Sequence, residues 1–102
     1  MKSDEIISRL RAHENELRAA GVSSLALFGS AARGEQREDS DIDVVVKLSD
    51  EARSGGFAYF GRIELLSRRL AEILKRPVDG VAEPIIKDRL RHEIEKDRIV
   101  AF

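Results

Sequence analysis

The sequence contains no cysteine, which removes three classes of chemistry at once. It carries no disulfide scaffold, no thiolate zinc site and no thiol nucleophile. It also lacks any run approaching the ~20 apolar residues that a membrane-spanning helix needs. Lys2, Asp4, Glu5 and Arg9 stand where a signal peptide has its apolar core, so the expected location is cytoplasmic. An excess of one charge is missing as well: 18 Lys plus Arg face 19 Asp plus Glu, a formal net charge of −1. Broad, unspecific binding to nucleic acid wants a strongly basic surface, so no direct nucleic-acid contact is expected. There is no internal repeat and no low-complexity tract. What remains suffices for a core: 102 residues, 42% of them hydrophobic, are the size of one domain, taken as 1–102.

Hydrophobic periodicity divides the chain into alternating elements. Ile6, Ile7, Leu10 and Leu17 recur at helical spacing, with Ser3 as N-cap, Asp4 and Glu5 in the first turn, and Gly21 as the stop. Val22 to Phe28 is a short apolar run bounded by glycines, which favours a strand. Ala31 to Arg33 suits one helical turn before Gly34, and the polar stretch from Glu35 to Ser40 suits a surface loop. Asp41 to Leu48 is the clearest strand, with Ile42, Val44, Val46 and Leu48 on one face and Asp41, Asp43, Val45 and Lys47 on the other. Ser49 to Gly56 reads as a loop, whose Ser54-Gly55-Gly56 stretch suits a plain connector better than a flap closing over nucleotide. Phe57 to Lys75 is the longest helical pattern, directing Phe57, Phe60, Leu66, Leu70, Ile73 and Leu74 inward, with Tyr59 partly buried beside them. Arg68, Arg69, Lys75 and Arg76 fall on its solvated side. After Pro77, Val78 to Val81 forms a very short strand holding Asp79. Pro84 suits the first turn of a further helix with Ile85, Ile86, Leu90 and Ile94 inside, and Ile99, Val100 and Phe102 form a last strand. The alternation predicts an α/β (α+β) fold, with helices packed on a small β-sheet.

Three features carry chemistry: Gly29-Ser30 after a strand, the Asp41/Asp43 pair, and Asp79. Each alone is weak, because Gly-Ser pairs mark turns and acidic pairs mark solvated strand ends. A calcium loop is excluded. Asp39, Asp41 and Asp43 mimic its first ligands, but its obligatory Gly and Glu positions hold Val44 and Asp50. The joint spacing Gly-Ser-x10-Asp-x-Asp is far more specific, matching by chance in about one start in fifty thousand. Gly29 lets backbone approach a phosphate, Ser30 offers backbone N–H and hydroxyl donors, and Arg33 adds a forked donor to the same anion. Asp41 and Asp43 sit on one strand face with Cα atoms ~6.7 Å apart, close enough to converge on one or two divalent ions. Without metal such acids repel, and one of them titrates high. Asp79, if its strand lies beside that of the pair, would complete the metal site or take a nucleophile's proton.

Leu27-Phe28-Gly29-Ser30-Ala31-Ala32-Arg33-Gly34, followed by Ser40-Asp41-Ile42-Asp43-Val44, resembles the signature of the DNA polymerase β-like nucleotidyltransferase superfamily. The Ala-Arg-Gly continuation and short length resemble its minimal nucleotidyltransferase (MNT) branch, and Arg76-Pro77-Val78-Asp79 is similar to that branch's third-carboxylate strand. The resemblance implies a polymerase β palm-like fold with a small mixed sheet. It places Gly29, Ser30 and Arg33 at the triphosphate of ATP, and Asp41 and Asp43 on Mg²⁺. Asp79 becomes the third catalytic carboxylate and metal ligand. It further implies transfer of AMP to a hydroxyl, a tyrosine's in the family pattern, of a HEPN-domain toxin that the antitoxin silences. Gly80 departs from the pattern, which commonly has a larger apolar residue there. Two other functions are weighed: a non-catalytic antitoxin acting by occlusion, and nucleotidyl transfer to a small molecule such as an aminoglycoside. The retained acids and Arg33 argue against the first. The second ranks last, because such relatives generally carry a further domain to hold the acceptor.

Overall fold

The structure, a computed structural model, describes residues 2–35, 37, 40–53 and 57–102, and of 57–60 the backbone alone. The roles expected for Asp39, for the Ser54-Gly55-Gly56 stretch and for the side chains of Phe57, Tyr59 and Phe60 lie outside the described residues.

Two helices open the chain, α1 (Ser3–Ala12) and α2 (Glu14–Ala19), where the apolar spacing predicts one. The break falls at His13, whose backbone leaves the helical region at φ −107° and ψ 15°. Ile6, Ile7, Leu10 and Leu17 are all buried, so the bend turns the chain without lifting the apolar stripe off the core. Lys2 rather than Ser3 holds the cap position.

The sheet is mixed. Strands β1 (Val22–Leu27) and β2 (Ile42–Leu48) pair antiparallel, joined through the short helix α3 (Gly29–Arg33). Strand β3 (Val78–Ala82) lies parallel to β2 after the crossover helix α5 (Phe57–Leu74). A parallel pair requires such a crossover, whereas β1 and β2 do not. Strand β4 (Ile99–Val100) pairs antiparallel with β1, giving the order β3-β2-β1-β4.

The two sheet faces pack separately. Leu25 and Leu27 of β1, with Ile42, Val44, Val46 and Leu48 of β2, join α1, α2 and α5 in the larger core cluster. Ala26, Phe28 and Val45 face the other way, against Ile94 of α6 (Asp88–Asp97). Each fully buried aliphatic contributes ~1.5–3 kcal/mol, so the larger cluster dominates stability. A register irregularity between Val22 and Ser24 explains why Val22 shares a face with Leu25, three residues on. One extra residue in a strand reverses the parity of the side chains beyond it.

Three expectations are corrected. Ser49 does not begin a plain loop: its hydroxyl accepts the Ala52 N–H at 3.3 Å and starts the helix α4 (Asp50–Arg53), which buries Ala52. The last helix starts at Asp88, not at Pro84, because Ile85 packs against the second cluster from a non-helical segment and Lys87 forms the extended cap. Ile86, expected inside, is 91% exposed as a result. Arg76 leaves the solvated helix face, as described below. No helix among the described residues is long and apolar enough to cross a membrane.

Candidate active site

The strand register gathers the acids. Asp43 of β2 is the direct partner of Asp79 of β3, and adjacent parallel strands run about 4.8 Å apart. Both acids sit on the face that carries Val45 and Val81 toward α6, while Asp41 lies just before β2 on the same alternation. The parallel pairing is decisive, because it puts two acids near the starts of neighbouring strands, at one end of the sheet. Asp41 and Asp79 are exposed and Asp43 is half-buried.

Helix α3 brings Gly29 and Ser30 to the same end. The Phe28 N–H donates to the Asp43 carbonyl at 3.1 Å, locking the end of β1 against the start of β2. Gly29 then turns the chain at φ +67°, a region that side-chain-bearing residues rarely enter. A Cβ built there would lie 2.5 Å from Asp43 Oδ2. Gly29 is therefore required twice over, by backbone conformation and by the carboxylate lying on it. Phe28 is the extended cap of α3, and no side chain caps the helix start. Gly80 has a comparable explanation. A Cβ there would lie 2.5 Å from Ser67 Oγ on α5 and 3.7 Å from Val44 Cγ2, so the Ser67 hydroxyl would have to turn away to admit a side chain.

The electrostatics follow from this placement. Burial pushes the Asp43 carboxyl up from its ordinary value, and the negative charges of Asp79, Asp41 and Glu93 push the same way. The Arg33 charge opposes them. Asp43 is thus the acid of the set pushed upward, by burial first and by its neighbouring carboxylates second.

Three residues of this region escaped the sequence reading. Glu93 of α6 adds a third negative charge felt at Asp43, after those of Asp79 and Asp41. Asp97, at the end of α6, accepts from Arg33 Nη1 at 2.6 Å, while Glu35 accepts from Arg33 Nε at 3.0 Å. Its signal was present: Leu90, Ile94 and Asp97 follow helical spacing, so an acid lies on the apolar stripe. Arg76 sits beyond α5 and donates through Nη2 to the Ser40 carbonyl at 2.9 Å and to the Arg37 carbonyl. With the Ile42 N–H bonded to the Pro77 carbonyl at 2.9 Å, it clips the segment that leads into Asp41. No local pattern announces that contact, which spans 36 positions of sequence.

The donors suit a hard cation. Carboxylate oxygens are the ligands that Mg²⁺ prefers, and the accumulated negative charge at Asp43 is what a cation relieves. Among the described residues, no three acidic or histidine side chains close into a metal cage. An open set fits Mg²⁺, which commonly takes one or two carboxylates and completes its shell with water and substrate phosphates.

A mixed sheet with acids at one end and a Gly-Ser turn against them is the architecture of a nucleotide-transferring domain. The nucleotidyltransferase-domain family model matches residues 9–101, and the chain belongs to that family of enzymes. A Methanocaldococcus jannaschii protein assigned by name to the protein adenylyltransferases is 38% identical over 97 residues, covering 93% of each chain. A solved structure assigned to the minimal nucleotidyltransferases superposes with a TM-score of 0.73 at 29% identity, covering 97% of this chain and 95% of that one. The MNT antitoxin complex with a tri-AMPylated Shewanella oneidensis HEPN toxin shares the fold, with a TM-score of 0.56 at 21% identity over 89% of this chain and 70% of that one. The MNT branch expected from the motifs is thereby the one that the relatives occupy.

Proposed function

We propose that the protein transfers AMP from ATP to a hydroxyl, a tyrosine's, on a HEPN-domain partner protein, and that this modification silences the partner. The observation that carries the reading is the registered Asp43–Asp79 pair with Gly29 pressed against the Asp43 carboxylate. The adenylyltransferase name of the Methanocaldococcus relative supports transfer to protein, and the antitoxin complex of the same fold supports the partner class.

In this reading Asp41 and Asp43 would hold Mg²⁺, which would supply charge neutralisation at the phosphates and at the departing oxygen. The Gly29-Ser30 turn and Arg33 hold the triphosphate through backbone N–H, hydroxyl and guanidinium donors. The acceptor oxygen bonds to the α-phosphorus, the bond from that phosphorus to the β-phosphate bridging oxygen breaks, and pyrophosphate leaves. Asp79, the acid on the outer strand of the pair, completes that site or takes the hydroxyl proton. Titration calorimetry tests the nucleotide half of the account. ATP binding that depends on Mg²⁺ is expected in the wild type and lost in Asp41→Ala/Asp43→Ala; unchanged affinity in a folded double variant would remove the metal assignment.

A further inference from the structure

The Arg33–Asp97 pair is unusual for where its acid lies. Asp97 is the last residue of α6, where the helix dipole disfavours negative charge. Its side chain is only 8% exposed, so it has also surrendered most of its hydration. Such a carboxylate persists only with a compensating partner, and Arg33 at 2.6 Å is that partner. Glu35, the other acid on Arg33, is 65% exposed and contributes little more than a solvated surface pair. Arg33 is thus anchored from its buried side by one acid, while 40% of its side chain remains exposed.

The fork geometry decides what the anchored residue can do. A guanidinium carries five N–H donors, and the bonds to Asp97 and Glu35 engage Nη1 and Nε, one N–H each. Donors remain for a second anion on the exposed side. Resting on the assignment of Arg33 to the triphosphate, we infer that Asp97 is a positioning residue: it holds the Arg33 guanidinium in place for phosphate from the far side of the site. A lysine could not serve both acids and phosphate in this manner, since its single ammonium lacks the fixed fork. Helix α6 accordingly has two duties. Ile94 covers the sheet, and Asp97, one turn further on the same stripe, orients the nucleotide-binding arginine.

The test is a double-mutant cycle on ATP affinity, measured by calorimetry with Mg²⁺ on the full chain, with the thermal midpoint of every variant recorded. Asp97→Asn keeps the shape and removes the charge, and is expected to weaken ATP binding about tenfold. In an Arg33→Ala background, the same substitution is expected to cause no further loss. A purely structural role would weaken binding equally in both backgrounds. Asp97→Glu keeps the charge that the fold needs but displaces the carboxylate by one methylene. It serves as the second variant should the Asn chain fail to fold, with the same expectation in both backgrounds. Undiminished affinity in folded Asp97→Asn or Asp97→Glu, together with weak binding in Arg33→Ala, overturns the positioning role alone. Full affinity in Arg33→Ala instead overturns the triphosphate assignment on which it rests.

Discussion

Gly29→Ala isolates the contact on which the site is built. Two costs add. Alanine at φ +67° pays about 1 kcal/mol for the left-handed conformation, after the gain from a less flexible unfolded chain. Its Cβ then meets Asp43 Oδ2 at 2.5 Å and Asp43 Cγ at 3.4 Å, so the carboxylate must rotate or the strand must shift. Overpacking of that kind adds about 1–2 kcal/mol. Gly34 is the matched control: it has φ +73°, but a Cβ there has no neighbour within 4 Å. Gly34→Ala should therefore lose only the conformational part, about 1 kcal/mol or roughly 5 °C in thermal midpoint, and Gly29→Ala about twice as much or more. Urea unfolding followed by circular dichroism reads both. The decisive comparison repeats Gly29→Ala in an Asp43→Ala background, where its cost should fall to that of Gly34→Ala. Equal costs with and without the Asp43 carboxylate would refute the reasoning, because the penalty would then owe nothing to the site.

Three further predictions follow from charge and hydrogen bonding. Asp43→Asn should stabilise the metal-free protein at neutral pH by less than about 1 kcal/mol, since the native state holds this acid's proton too tightly and solvent screens the half-exposed group; added Mg²⁺ should raise the thermal midpoint of the wild type and leave this variant unmoved. The bond from Arg69 holds the Glu16 carboxyl at about 2, below its ordinary 4.5. A depressed acid stabilises above its unfolded value and loses that contribution as pH falls through its folded one. The difference between wild type and Glu16→Gln should thus vanish between about pH 4.5 and 2, and salt should shrink it throughout. Arg76→Ala should destabilise by about 1–2 kcal/mol, by loss of charge-assisted bonds to the Ser40 and Arg37 carbonyls. Hydrogen exchange at the Ile42 amide should accelerate in that variant beyond any change at Leu25 or Val46.

The strands were legible because period-2 alternation and β-branched residues coincide over Ile42–Leu48, so the division into a core face and an acid-bearing face could be read directly. The site was half legible for a related reason. Gly29, Ser30, Arg33, Asp41 and Asp43 lie within 15 residues, close enough for spacing alone to join them. What escaped depends on contacts remote in sequence. Asp97 reaches Arg33 across 64 positions, and Arg76 reaches Ser40 across 36. The start of α6 is not legible because proline at a first helical turn is a local preference, whereas packing Ile85 against the smaller core cluster is a tertiary demand that outweighs it. The break at His13 hid for the opposite reason, since both helix segments keep their apolar residues on a single stripe.

The central claim is transfer of AMP by these acids to a partner protein. Its most direct measurement is intact-mass spectrometry of a HEPN-domain partner incubated with ATP, Mg²⁺ and either the wild-type chain or its folded Asp41→Ala/Asp43→Ala variant. A mass increase of one or more AMP units is expected with the wild type and none with the variant, with loss of the partner's toxicity only in the modified sample. An unmodified partner that both proteins neutralise equally would contradict it and leave occlusion as the function.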